Sequence, residues 1–595
     1  MSSTQDQQAG WDEEVDLLVF GAGAAGMTSA LVASHEGLKV LLCEKTDAVG
    51  GITSTSGGTT WVPGTQLSVD AGVPDSVDDA RRFLQSVVGA RGGDEAREAF
   101  LQSGPLAIDE LQRISDVRFV AAAAHPDYVT GPGAAFGGRA LAPVPFDARA
   151  LGKHFARVRP PRKEFMGLGG MMVNRSDLGA LLAPFGSVGN FRRTVAVVGR
   201  YFIDRLRFAR GTQLVMGNAL AARLYYSLLK RNIEVRFEAP LVELVRENGR
   251  VTGAIVGSEG GARTRIAARR GVVLATGGVA RHPVLRKQLF PVAAQALSLS
   301  PDTHTGDGVS SALKIDALLA NGGDSPGLWM PCSIRRSRKG KDSVWPHIIL
   351  DRAKPGLIAV NSRGERFVNE SNSYHDFVMG MLQDSEKREA TNVPAHLIVD
   401  AAFIRDYGLG LLMPGRSRAR IADFERSGYL VKGVTLAELA AKLNVDATGL
   451  ARTVEAYNRD AASGNDPTFH RGSSPMSRFN GDAANRPNPC IRPLGEGSYY
   501  AVTVWPADLA CSAGLSGTAN GEVLDANGAV IPGLFACGND LASIFRGTYP
   551  GPGTTLGPAI VFGWRIAKFI AGRPFNVGAA SMQTRPDDAC LHEVR

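Results

Sequence analysis

Cysteine is scarce and follows no pairing pattern. The six cysteines of this 595-residue chain (Cys43, Cys332, Cys490, Cys511, Cys537 and Cys590) are scattered, with no CxxC pair. That argues against a metal site and a disulfide framework, and it fits a reducing compartment. No apolar run approaches the roughly 18 residues that suggest a membrane span. The opening stretch, Met1 to Asp16, is polar and acidic and lacks the basic-then-apolar order of a secretory signal. The expectation is a cytoplasmic protein. A strong charge of one sign is lacking too: 66 basic residues against 58 acidic ones leave +8. With no basic stripe in a recognised module, no nucleic-acid partner is expected. Internal repeats and low-complexity tracts are absent.

What the chain does have is glycine, 70 residues without a Gly-X-Y period. Such an excess suits tight turns and close backbone approach to a ligand. The length exceeds one compact core, so two domains are expected.

Residues 16–20 read as a short buried strand, Ala25 to His35 as a helix, and Lys39 to Cys43 as a second strand: a βαβ unit. Between the first strand and the helix lies Gly21-Ala22-Gly23-Ala24-Ala25-Gly26. Gly21 permits the turn, Gly23 lets backbone amides approach a pyrophosphate, and Gly26 lets the helix pack on the sheet. The helix N-terminus offers free N–H groups and a positive dipole end to phosphates. Glu44 follows the second strand, about 20 residues on, where a carboxylate accepts a ribose hydroxyl. A GxGxxG alone is weak; the strand, helix and acid around it make the nucleotide reading strong.

Which dinucleotide is decided by the residues after Glu44. Glu44-Lys45, then Gly50-Gly51-Ile52-Thr53-Ser54-Thr55-Ser56-Gly57-Gly58, resembles a run of the succinate dehydrogenase/fumarate reductase flavoprotein superfamily. The segments Ala275-Thr276-Gly277-Gly278, Thr305-Gly306-Asp307-Gly308 and Ala536-Cys537-Gly538-Asn539 resemble further motifs of that superfamily, in the expected order along the chain. Cys537 reads as a small buried apolar residue. The resemblance implies FAD as cofactor and an α/β fold: a Rossmann-like FAD-binding domain with an inserted catalytic domain of α+β type. It makes Gly21, Gly23, Ala24, Ala25, Gly26, Glu44, Lys45, Gly50, Gly51, Thr53, Ser56, Gly57, Gly58, Ala275, Thr276, Gly277, Gly538, Asn539, Thr555 and Leu556 the expected cofactor-binding residues. No metal ligand is expected.

The turn before the final helix (Leu556 to Ile570) separates the branches. Fumarate reductases carry an arginine there that binds dicarboxylate, and such a substrate needs bidentate cation contacts. This chain has Tyr549-Pro550-Gly551-Pro552-Gly553 instead, with Arg546 upstream and out of place. That stretch resembles 3-ketosteroid Δ1-dehydrogenases, in which the tyrosine hydroxyl and the glycine N–H bind the C3 carbonyl as an oxyanion hole. By the same resemblance, the Arg366-Phe367-Val368-Asn369-Glu370 strand-turn leads to Tyr374 as base, assisted by Tyr128. The catalytic set implied is Tyr374, Tyr549, Gly553 and Tyr128. A tyrosine near pKa ~10 is a poor base at neutral pH unless neighbours favour the phenolate. His375 is an alternative base, read instead as a supporting or surface residue; for Tyr500, substrate contact and packing are equal readings.

The implied reaction removes the C2 proton and passes the C1 hydride to flavin N5. Alternatives are another cyclic ketone, Δ4 chemistry on a ketosteroid and, ranked last, an enoate reductase of the fumarate type. A flavoprotein serving only as an electron relay is argued against by the tyrosines. The partners implied are a hydrophobic, steroid-like cyclic ketone and an electron acceptor of unknown identity, for which a quinone suits the family.

The expected domains are residues 1–297 (first FAD-binding part, with a basic insertion at about 140–215), 298–487 (catalytic) and 488–595 (second FAD-binding part). Residues 77–115 read as helical, Gly217 to Lys230 as a helix, and 241–257 and 262–274 as hairpin strands. The insertion holds a Pro/Arg stretch from Arg157 to Lys163. It also holds Arg192, Arg193, Arg200, Arg205, Arg207 and Arg210 spaced among Val195, Val197, Val198, Phe202, Ile203 and Leu206. That pattern suits an amphipathic helix, read either as a solvated face or as a peripheral membrane contact.

Overall fold

The computed structural model describes residues 10–258, 260–337, 340–348, 351–383 and 392–575; Cys590 and the first nine residues lie outside them. The chain forms a mixed α/β architecture with two principal sheets. The first is built on Glu13–Phe20, which pairs in parallel with Val40–Cys43 on one side and Arg263–Leu274 on the other. Val530–Ala536 and Glu234–Arg236 extend it outward. Leu17, Leu18, Val19 and Phe20 are all buried, the continuous apolar run of a parallel strand covered on both faces.

Helix Ala24–His35 follows the first strand and packs on the final helix, Leu556–Ile570. Contact is close: a Cβ at Gly563 would lie 2.6 Å from the Ala25 carbonyl oxygen. Thus the two ends of the described chain meet over one sheet, and the final helix brings its N-terminus to the glycine-rich turn.

The second sheet is antiparallel, with strand order 343–346, 327–335, 499–511, 395–400, 357–360. Its centre is Tyr499–Cys511, which pairs Gly327 with Cys511 at one end and Asp400 with Tyr499 at the other. Residues 499–511, placed by the sequence in the expected second FAD-binding part (488–595), thus pair within the second sheet, which the chain leaves after Cys511. The run Tyr499-Tyr500-Ala501-Val502 reads as a strand locally, but its partners in 395–400 and 431–433 lie far along the chain, beyond the reach of local pattern. Tyr500 packs in the core, so packing is the reading that holds for it.

Two other expectations shift. The helical stretch 77–115 is two helices, Val77–Val88 and Asp94–Ile114, parted where Gly89, Gly92 and Gly93 take positive φ. The Arg-rich stretch forms helix Val188–Arg205, capped by Ser187 Oγ, which accepts from the Asn190 N–H. Asp204 anchors it, its carboxylate accepting from Thr212 N and Oγ1. The other face leaves Val188, Phe191, Val195, Phe202 and Ile203 exposed, with Phe185 before the helix and Leu206 after it.

Candidate active site

A cavity opens at the C-terminal ends of the parallel strands. Gly21, Gly23, Ala24, Ala25, Glu44, Lys45, Gly51, Thr53, Ala275, Thr276, Gly277, Gly538, Asn539, Thr555 and Leu556 line it. Gly26 and Gly50 lie behind this wall. A Cβ at Gly26 would stand 2.0 Å from the Gly21 oxygen, and one at Gly50 would meet Ser54 Oγ at 1.9 Å; both positions hold the turn tight. Gly21 has φ +101°, and a Cβ there would meet the Ala275 oxygen at 2.2 Å, so only glycine joins the two strands so closely.

Glu44 ties the nucleotide loop together. One carboxylate oxygen accepts from Ala22 N at 2.9 Å, the other from Thr46 N and Oγ1 at 2.9 Å. Each oxygen has two lone pairs, so acceptor capacity remains for a ribose hydroxyl. Lys45 pairs with Asp307 at 2.8 Å and donates to Thr305 Oγ1, linking the Thr305–Gly308 motif to this wall. Asp540 accepts from Thr276 N at 2.5 Å and from Gly278 N at 2.8 Å, which staples the two glycine turns.

Arg159 and His304 also line this cavity, and neither was identified from the sequence. Arg159 Nε and His304 Nδ1 are buried without a hydrogen-bond partner. Burial, with Arg159 and Lys45 nearby, pushes the His304 imidazole down to about 4, so it is neutral at pH 7. A dinucleotide fits this donor set: a glycine cradle that any Cβ would fill, a helix N-terminus, a ribose-seeking carboxylate and the Arg159 guanidinium, which gives one bond to Thr46 Oγ1 at 3.2 Å and keeps its Nε unpaired. The only sequence signal for Arg159 was its place in the Arg157 to Lys163 stretch.

A second cavity of about 230 Å³ adjoins the first along Ile52, Thr555 and Leu556, which line both. It is several times the roughly 30 Å³ share of one liquid water, so it takes a ring-sized ligand. Ser56, Gly57 and Gly58 form one wall; Leu299, Met330, Pro346, Ile348 and Leu509 give it an apolar character. Gly58 has φ +74°.

Tyr128, Tyr374, Tyr549 and Gly553 all reach this cavity. The phenols form a chain: Tyr128 OH donates to Tyr374 OH at 3.4 Å, and Tyr374 OH donates to Tyr549 OH at 3.0 Å. Their rings stack or meet edge to face at 5.2–5.7 Å. Burial, then the neighbouring phenols, pushes all three above the usual tyrosine range. Three titratable hydroxyls packed together in apolar surroundings cost stability, and such a cluster marks a site of chemistry.

Each phenol is held from a different part of the chain. Tyr128 N donates to the Pro550 carbonyl at 2.8 Å, so the Tyr128 loop rests on the Tyr549 turn. Its neighbour Asp127 accepts from Trp61 Nε1 and from Arg139. Tyr374 opens helix Tyr374–Gln383. Arg352, wholly buried, binds the carbonyl of Glu370 just ahead of it and that of Ile348. Arg366 grips Glu370 with two 2.7 Å bonds, so the Arg366–Glu370 motif acts as a brace.

His375 is not a surface residue. Its Nε2–H donates to the Gly547 carbonyl at 3.0 Å while Nδ1 accepts from Trp329 N. Both nitrogens are spent on holding the turn that carries Tyr549, and burial lowers the imidazole from its ordinary value. Gly553 has φ +97°, and a Cβ there would lie 2.4 Å from the Thr59 oxygen. Arg546 does not line the cavity; its guanidinium lies against Gly93. Another arginine does line it: Arg162, from the Pro/Arg stretch. Among the described residues no group of His, Cys, Asp and Glu could hold a metal ion, and the described cysteines are buried and unpaired.

The FAD binding domain family matches residues 16–556, and the chain belongs to that family. The chain is 36% identical to 4-oxocyclohex-2-ene-1-carboxylate 5-dehydrogenase of Sinomonas cyclohexanicum, over 96% of this chain and 98% of that one. It is 34% identical to 3-oxosteroid 1-dehydrogenase of Mycobacterium tuberculosis, over 94% and 98%. Among solved structures, 3-ketosteroid delta1-dehydrogenase from Sterolibacterium denitrificans, in complex with 1,4-androstadiene-3,17-dione, superposes with a TM-score of 0.85. That pair is 33% identical over 94% of this chain and 100% of the other. The cofactor is FAD and the protein is an FAD-dependent oxidoreductase.

Proposed function

We propose that this member of the FAD binding domain family desaturates a ring beside a ketone, with a 3-ketosteroid and its C1–C2 bond as the best-supported substrate and position. One observation carries the reading. Three linked phenols and Gly553 share an apolar cavity whose wall, at Thr555 and Leu556, is also the wall of the cofactor cavity.

Tyr549 OH and the Gly553 N–H hold the ketone oxygen, and they are worth most as that oxygen gains charge. Tyr374 takes the proton from the carbon next to the carbonyl. Tyr128, donating to Tyr374, stabilises its phenolate. FAD, when bound, supplies the acceptor for the hydride leaving the neighbouring carbon. The apolar wall excludes water, which keeps each of these bonds strong. The substrate loses one proton and one hydride and leaves as an α,β-unsaturated ketone. The activities named for the Mycobacterium and Sterolibacterium relatives support this ring ketone. Δ4 chemistry would keep the carbonyl anchor and move the base.

Reoxidation calls for an acceptor from outside the chain, and a quinone is the class the family resemblance supports. The exposed apolar face of helix Val188–Arg205, flanked by exposed Arg192, Arg205 and Arg207, supports seating on an anionic lipid surface. No described helix is long and apolar enough to cross a membrane. The test is product analysis: with an artificial acceptor, 4-androstene-3,17-dione should yield a product two hydrogens lighter with a new C1–C2 double bond. A product desaturated elsewhere, or none from any ring ketone, overturns the assignment.

A further inference from the structure

Arg162 is out of keeping with its surroundings. Among the described residues lining the tyrosine cavity it is the only arginine, lysine, aspartate or glutamate. Its guanidinium is poorly used. The bonds to the Leu299 and Val344 carbonyls are both 3.4 Å, at the outer limit of a hydrogen bond. Nε is buried with no hydrogen-bond partner. Glu164 approaches it only to 3.7 Å. The side chain is about one-fifth exposed, and Glu164 is nearly buried. A partly buried, half-satisfied cation in an apolar cavity is costly unless something offsets it, and among the described residues only Glu164, at 3.7 Å, pairs with it.

We infer that Arg162 is a substrate-recognition residue, and that the preferred substrates of this site are ring ketones that also carry a carboxylate. The guanidinium fork matches a carboxylate with two parallel N–H···O bonds. The ketone is anchored by Tyr549 and Gly553, while Arg162 touches the carbonyls of Leu299 and Val344 instead. A ligand with both groups therefore engages two separate polar points across an apolar cavity, which sets its orientation. A neutral ketone leaves the guanidinium unpaired. The inference rests on the ring-ketone reading above and narrows it. The acid could be a single ring or a steroid with an acidic side chain; the chemistry at Arg162 is the same.

The test uses the FAD-loaded full chain with two substrate pairs: 4-oxocyclohexanecarboxylate and its methyl ester, and 3-oxochol-4-en-24-oate and its methyl ester. Wild type should favour the acid over the ester in at least one pair, by roughly 10–100-fold in kcat/KM, the range for a hydrogen bond to a charged group. Arg162→Gln should erase that preference by raising KM for the acid far more than for the ester; Arg162→Lys should restore part of it. The pair that responds identifies the source. Equal use of acid and ester by wild type in both pairs would overturn the inference. Equal losses on acid and ester in Arg162→Gln, with no rescue by lysine, would also overturn it. If Arg162→Gln fails to fold, the wild-type preference and the Arg162→Lys values decide alone. Oxidation of neutral ketones without acid preference would sink this inference only; no oxidation of any ketone would sink the parent reading.

Discussion

Replacing Tyr374 with phenylalanine removes one oxygen from the centre of the phenol chain. The ring stays, so its edge contacts with Tyr128 at 5.5 Å and Tyr549 at 5.2 Å remain. Two bonds are lost, those of 3.4 and 3.0 Å. Leaving buried hydroxyls short of partners costs about 1–3 kcal/mol of stability. The chemical loss is of another order. A positioned general base contributes roughly 10²–10⁴-fold, or about 2.7–5.4 kcal/mol at 1.36 kcal/mol per tenfold. The variant should thus fold, hold FAD and melt a few degrees lower, while its rate of flavin reduction falls at least a hundredfold. Anaerobic stopped-flow at saturating ring ketone, beside a melting curve, separates the two effects. A variant that reduces its flavin within about threefold of wild type would refute Tyr374 as base and return attention to Tyr128.

Burial pushes the phenols upward, and the base works only when deprotonated. The rate of flavin reduction should therefore climb about tenfold per pH unit from pH 6 to 8, without a plateau in that range; a flat profile there would contradict a tyrosine base. Gly553→Ala places a Cβ against the Thr59 carbonyl at a φ of +97°. The strain, about 1–3 kcal/mol, should displace the turn and cut kcat/KM by at least tenfold in protein that stays yellow, as steady-state assays would show. Changing Phe202, Ile203 and Leu206 together to aspartate should release the protein from anionic vesicles in flotation without altering its rate on soluble ketone. Retained flotation would argue against that face.

Legibility followed sequence distance. The βαβ unit, its glycines and Glu44 lie within about 30 residues and obey local steric rules, so they were readable, as was the final helix. The tyrosines were found through the family resemblance, because positions 128, 374 and 549 show no periodicity and meet only in the folded chain. Arg159, Arg162 and His304 were missed for the same reason. Two of them arrive on the Pro/Arg stretch, whose conformation is set by what it covers. For His375 the sequence left supporting and surface places open, and the bonds of its two nitrogens to Gly547 and Trp329 give it the supporting one. The central place of Tyr499–Cys511 depends on pairing register, which a single strand does not encode.

The most direct test of the central claim is a single anaerobic mixing of the FAD-loaded protein with 4-androstene-3,17-dione and, separately, with 4-oxocyclohexanecarboxylate. Absorbance near the ~450 nm band of the oxidised cofactor reports the redox step. The account predicts bleaching by at least one of them, with release of a ring ketone two hydrogens lighter. No bleaching by either, in protein that dithionite reduces normally, would contradict it.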